Sequence, residues 1–155
     1  MFDIRTVSYT DPGAPAALAA SLRETGFAVL TDHPIRPERI EAAYAAWGRF
    51  FASPEKHDWT HAAGRADGYF PFRSENARDS AVKDLKEFYH VYPDGKIPAE
   101  LATETLALHA DLVAAGRTLL DWIEEATPRS IRARFSEPLP AMLEGSTQNR
   151  LRILH

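Results

Sequence analysis

The sequence predicts an α+β fold that is mostly helical. Two stretches, 37–52 and about 98–127, carry apolar residues at helical spacing. Short apolar runs near 2–7, 27–30 and 86–92 are bounded by Gly, Pro and Asp, as strands are. Near the C-terminus, Leu151 and Ile153 alternate with Arg150 and Arg152, which is how a strand begins.

Taken in order, Phe2 to Val7 is a weak strand that breaks at Asp11-Pro12-Gly13. Asp11 or Gly13 can cap a helix whose first turn holds Pro15, where no backbone N–H is needed. Leu18 and Leu22 share one face of it, and Gly26 is placed to end it in the left-handed conformation. Phe27 to Leu30 then suits a short buried strand. The next helix starts near Pro37, with Ile40, Tyr44, Trp47 and Phe51 on one stripe and Phe50 beside them, and stops at Ser53-Pro54. From His57 to Asp84 the pattern is irregular. Lys86 to Tyr92 alternates as a strand does and meets a turn at Pro93-Asp94-Gly95. The longest helix, from about Pro98 to Thr127, holds Leu101, Leu108, Leu112, Leu119 and Ile123 on one face until Pro128 ends it. A short helix from Ser136 to Glu144, closed by Gly145, leads into the last strand.

Composition narrows the function classes. The chain has 155 residues, the size of one domain, with 45% hydrophobic residues. Its net charge of −4 argues against nucleic acid as a partner, since such binders carry a basic excess. Without cysteine there is no disulfide, thiolate metal site or cysteine nucleophile. No apolar run approaches the roughly 20 residues of a membrane helix. Met1 to Arg5 lacks the basic start of a secretory leader, so a cytoplasmic protein is expected.

Three histidine arrangements have the letters of a metal site. His57 and His61 stand four apart, a spacing that puts two imidazoles on one face of a helix. The stretch is short, however, and offers no third ligand. His109-Ala110-Asp111 with His155 spells a His-x-Asp…His triad, but residues two apart on a helix point about 200° apart and cannot chelate one ion. His33 is a lone histidine at a strand end. There is no Gly-x-Ser-x-Gly elbow and no glycine-rich phosphate loop. The segment Gly68-Tyr69-Phe70-Pro71-Phe72-Arg73-Ser74-Glu75 is different, because aromatic residues on an irregular stretch make a plausible pocket wall. Tyr69 and Phe70 would orient a substrate body, while Arg73 and Glu75 would hold a carboxylate and an amine. The alternative is that Tyr69 and Phe70 fill the core and Arg73 pairs with Glu75 at the surface.

These segments together resemble the N-terminal half of the isopenicillin N synthase-like oxygenases. Gly26-Phe27-Ala28-Val29-Leu30 followed by Asp32-His33-Pro34-Ile35 is similar to that family's opening strand and "GF…nHG(I/V)" stretch, with Pro34 in the usual glycine position. Phe50 to Lys56 resembles the "FF.LP.e.K" helix end, and Gly68-Tyr69 with Glu75 resembles the "GY…E" turn. Asp84 to Phe88 is similar to the "D.KE.F" strand, and Leu151 to His155 to the "LR..(H/Y)YP" strand that enters the jelly-roll.

The resemblance implies an oxygenase that uses Fe(II) and 2-oxoglutarate on a small-molecule substrate. It implies that residues 1–147 form a helical buttress and that 148–155 are the first strand of a double-stranded β-helix cut off at the C-terminus. In the family the iron ligands and the arginine that anchors 2-oxoglutarate follow that strand, so neither group is expected to bind this chain alone. No metal ligand is assigned, and His155 matches the strand histidine. Tyr69 and Glu75 fall where some members contact substrate; Arg152 lies on a strand bordering the cosubstrate pocket and receives a supporting role. The second reading is a naturally short, non-catalytic module or split-gene relic. Its stripes of Ile40, Trp47 and Phe51, or of Leu108 and Leu112, would then pack on another chain.

Overall fold

A computed structural model describes residues 4–76, 79 and 81–155. Its backbone divides into two compact units, Met1–Ile35 with Ala110–Ser146, and Arg36–His109 with Thr147–His155.

In the first unit, β1 (Thr6–Ser8) and β2 (Val29–Thr31) pair in parallel, joined by α1 (Ala14–Thr25). A parallel pair needs such a crossover. Asp11 begins the helix by accepting the Gly13 N–H at 2.6 Å, and Gly26 ends it at φ 79° with its N–H on the Leu22 carbonyl. Helix and strands are tied by the buried Ser21. Its hydroxyl donates to the Phe27 carbonyl at 2.7 Å and accepts the Arg5 N–H at 3.3 Å. The first strand lies later than predicted, and the Phe2–Asp3 part of that prediction is outside the described residues. The second strand is not buried: Phe27 and Val29 are exposed, because among the described residues β2 pairs only with β1 and turns Val29 and Thr31 outward. The later turns of α3 (Ala99–Ala126) bring Trp122 against Tyr9, ring centroids 4.9 Å apart. Two short elements follow, α4 (Arg129–Arg132) and a 3₁₀ helix at Leu139–Leu143. The expected helix from Ser136 shrinks to that 3₁₀ turn, since Pro138 and Pro140 remove the N–H groups an α-helix would use.

The second unit is built on an antiparallel sheet of order β3 (Gly68–Phe70), β4 (Phe88–Val91), β5 (Leu151–Leu154). The helix α2 (Pro37–Ala52) stops where the sequence indicated, and Ser53 caps the following 3₁₀ helix (Pro54–Trp59) by accepting the Glu55 N–H. Strand alternation sorts the sheet's side chains. Tyr69, Tyr89, Val91, Leu151 and Ile153 join the core with Trp47, Phe50, Phe51 and Leu101. Each large aromatic ring buried there contributes roughly 1.5–3 kcal/mol. The Trp47 indole N–H donates to Thr105 Oγ1 at 3.0 Å, so this buried polar atom is satisfied. Tyr44 departs from the expected stripe and is 78% exposed. The core gathers at the C-terminal end of α2, and periodicity reports which way a residue faces, not how far along the helix cover extends. Of the residues expected in the second reading to meet a partner, Trp47, Phe51 and Leu108 are buried within the chain itself, Ile40 is half-buried and Leu112 is exposed.

Residues 147–155 group with 36–109, because β5 pairs with β4 in the register Val91↔Leu151, Tyr89↔Ile153. No helix among the described residues is long and apolar enough to cross a membrane.

Candidate binding site on the three-stranded sheet

The face of the sheet turned away from the helices carries Phe70, Phe88, His90 and Arg152. Phe88 is fully buried at its centre. Phe70 stacks on it at 4.6 Å, His90 meets it at 4.7 Å, and the Arg152 guanidinium lies 4.7 Å from its centroid. Lys86 approaches the same ring at 5.6 Å and holds Asp84 at 2.8 Å and Glu75 at 3.7 Å. Beyond Phe70, the His61 ring stacks at 3.9 Å. The result is a packed row of rings with the Arg152 and Lys86 cations laid on its central member.

His90 is 3% exposed and bonded at both ring nitrogens, Nδ1 to the Ala66 carbonyl at 2.9 Å and Nε2 to Arg152 Nε at 2.8 Å. Burial lowers its pKa from the ordinary value; Arg150 and Arg152 add to the shift, while the Ala66 carbonyl and Glu75 oppose it.

On the opposite face, Glu87 anchors the sheet to the helices. Its Oε2 accepts from Lys56 Nζ at 2.8 Å and from the Tyr69 hydroxyl, and its Oε1 from His155 Nδ1 at 2.9 Å. Burial alone would raise the carboxyl pKa, but the hydrogen bonds from Lys56, Tyr69 and His155 outweigh it and leave it lowered. The Tyr69 hydroxyl is pushed well up by burial and by the adjacent carboxylate. The His155 ring lies flat on Phe51 at 5.1 Å, so the end of β5 is tied to both α2 and β4.

A cleft of about 730 Å³ opens beside the sheet, lined in part by Trp59, His61, Arg65, Asp67, Lys96 and Ile97. Asp67 accepts two N–H bonds from Arg65, at 2.7 and 3.0 Å, and one from the Lys96 backbone at 2.9 Å. The Arg65 hydrogen bond is the main cause that lowers its pKa to about 2. Gly68 lets the wall close, because at φ 106° an added Cβ would lie 2.9 Å from the Trp59 carbonyl oxygen.

The segment singled out in the sequence is therefore divided. Phe70 is on the outer face, with Glu75 joined to it through Lys86 and Phe88, and Arg152 beside them. Tyr69 points the other way and is 1% exposed in the core. Arg73 is exposed at φ 61° with its guanidinium 5.5 Å from the Phe72 ring, and Glu75 pairs with Lys86. Sequence reasoning passed over His90, Lys86 and Glu87 as functional residues. The i, i+2 spacing of Phe88 and His90 with Arg152 on a neighbouring strand was the available signal, but it needs the β4–β5 register to be seen.

Nor do the histidine spacings converge. His57 meets the edge of Tyr69 and His61 lies on Phe70, because a 3₁₀ helix ends at Trp59 between them. His109 Nε2 bonds the Asn149 carbonyl at 3.0 Å. Among the described residues no group of three or more His, Cys, Asp or Glu side chains is arranged to hold a metal ion, so these residues do not fit an iron site.

Residues 3–109 match the family model described as non-haem dioxygenase in morphine synthesis, N-terminal. A solved Shewanella oneidensis protein assigned as an oxygenase is 42% identical over 96% of the chain, with a TM-score of 0.85. A Caulobacter crescentus protein assigned to the 2OG-Fe(II) oxygenase family is 26% identical over 99% of the chain, with a TM-score of 0.69. A full-length Neurospora crassa protein, solved in complex with alpha-KG and thymine, shares the fold at 20% identity over 77% of the chain and 47% of its own, with a TM-score of 0.64. The chain spans about half the length of the first two, 53% and 56%. No functionally curated protein matches the sequence.

Proposed function

The chain belongs to the non-haem dioxygenase N-terminal family, and from that premise we propose that it is the N-terminal portion of an Fe(II)/2-oxoglutarate-dependent oxygenase that oxidises a small molecule. Two oxygenase-assigned relatives at 42% and 26% identity support the reading, and both are about twice as long as the part matched. On this reading the iron-bearing half lies outside these residues, in a jelly-roll that β5 opens, and the protein works in the cytoplasm. The iron itself receives no ligand from the described residues and no step is assigned to it.

The observation that carries the proposal is the outer face around Phe88, where Arg152 lies on an aromatic floor shared with Phe70. A guanidinium is the side chain best matched to a carboxylate, so Arg152 supports the 2-oxoglutarate end of the site. Phe70 and Glu75 face the substrate. Tyr69 acts behind them, fixing the strand through Glu87, and Arg73 stands at the outer end of the turn. The division of labour follows the chemistry: an apolar surface orients the substrate body and excludes water, and charged groups fix its polar ends.

The deciding experiment is the intact mass of the polypeptide from its native source, followed by a 2-oxoglutarate turnover assay on that species. A mass near twice 17.3 kDa with Fe(II)-dependent succinate formation is expected. A native polypeptide of 17.3 kDa without such turnover would refute the proposal.

A further inference from the structure

We infer that His90 is a positioning residue: its neutral imidazole, protonated at Nδ1, accepts from Arg152 Nε and so aims the rest of the guanidinium at a carboxylate ligand. The inference rests on the reading of Arg152 as a cosubstrate residue and adds to it a buried group that has no other evident task.

The tautomer follows from the partners. The Ala66 oxygen, 2.9 Å from Nδ1, is a carbonyl and can only accept, so Nδ1 carries the hydrogen. Arg152 Nε, 2.8 Å from Nε2, can only donate, so Nε2 presents its lone pair. Both bonds are satisfied by one neutral tautomer and by no other protonation state. An imidazolium would set an N–H against an N–H at that distance. His90 is 3% exposed, and its ring packs against both Phe70 and Phe88 at 4.7 Å from each, so it cannot swing away to relieve a mismatch.

Consequences for Arg152 are geometric. A guanidinium has five N–H donors in a rigid plane. With Nε committed to His90 and the plane's centre 4.7 Å from the Phe88 centroid, two constraints fix the group, one along its edge and one on its face. The terminal nitrogens are then held at the far end of the fork, where paired N–H groups match the two oxygens of a carboxylate. Arg152 itself is exposed and sits on β5, directly across from His90 in the strand register. Without His90 the long side chain would regain its rotamers, and ordering them again on binding weakens the ligand.

The test uses the full natural polypeptide. Nitrogen-15 NMR of histidine-labelled protein should show His90 protonated at Nδ1 and bare at Nε2 at neutral pH; an Nε2–H tautomer or an imidazolium would overturn the inference without any variant. Calorimetry with 2-oxoglutarate as the probe supplies the second readout. His90→Phe, which keeps a ring but neither bond, should weaken binding about tenfold, the scale of one charge-assisted hydrogen bond. His90→Gln, which can both donate to Ala66 and accept from Arg152, should restore most of it. Arg152→Met should weaken binding at least as much as His90→Phe. If Arg152→Met weakens binding while His90→Phe leaves it within twofold, the positioning role is wrong and the cosubstrate reading stands. If Arg152→Met changes nothing, the cosubstrate reading of Arg152 fails, and this inference with it.

Discussion

Replacing Lys56 with methionine isolates the Glu87 clasp, because the thioether keeps the aliphatic bulk and removes only the charge. Lys56 Nζ lies 2.8 Å from Glu87 Oε2 and 2.7 Å from the Phe51 carbonyl, with the two charged side chains 18% and 9% exposed. At an effective dielectric near 20 the gross attraction at that distance is about 6 kcal/mol, and the cost of desolvating both ions offsets most of it. Breaking a fully buried pair costs about 3–5 kcal/mol because one charge is stranded. Glu87 would keep its bonds from Tyr69 and His155, so about 2–4 kcal/mol is expected for Lys56→Met. The pH dependence distinguishes charge loss from packing loss. In the wild type the carboxyl pKa is lowered from 4.5, so Glu87 contributes stability that is present above 4.5 and lost as pH falls further. In the variant the Lys56 bond and charge are lost while the Tyr69 and His155 bonds remain, so the carboxyl pKa rises from its wild-type position. The variant therefore has less of this pH-dependent stability to lose as pH falls below 4.5. Urea unfolding followed by tryptophan fluorescence should show a gap that is largest at neutral pH and narrows as pH falls below 4.5. A gap that is constant across that range, or smaller than about 0.5 kcal/mol throughout, would refute the clasp as an electrostatic anchor.

Three other perturbations follow from the same geometry. Thr105→Val should cost about 1–3 kcal/mol by leaving the buried Trp47 indole N–H without an acceptor, and adding Trp47→Phe should cost less than the sum of the single changes in denaturant titrations. Asp67→Asn should destabilise the protein at neutral pH; since the Asp67 pKa is lowered from 3.8 to about 2, its contribution is lost through that interval and the two acid-unfolding curves should converge there. In the intact enzyme, Glu75→Gln should raise KM for the substrate or lower turnover severalfold without changing iron affinity, and unchanged steady-state kinetics would remove Glu75 from the site.

The three main helices and their ends were legible because their causes are local. Pro37 and Ser53 bracket α2, Gly26 closes α1, and the long leucine spacing of α3 runs until Pro128, each a matter of backbone sterics and period rather than of distant partners. The strands β4 and β5 were visible in the same way, and the family resemblance rested on those punctuated segments in order. Where local rules competed with unseen cover, the sequence misled: Tyr44 shares the stripe of Trp47 yet stands in solvent, and Val29 sits in an apolar run on an exposed strand. The candidate site was only half legible. Its segment, residues 68–75, could be picked out from its aromatic density, but adjacent letters in a strand point to opposite faces, so Tyr69 went to the core and Phe70 to the outer face of the sheet. Composition and local punctuation thus determined the mixed helix-and-strand character, the ends of the three main helices and the family. The pairing of β4 with β5 decided the rest, because residues 62 apart in sequence, His90 and Arg152, acquire a shared chemistry only when the register sets them side by side.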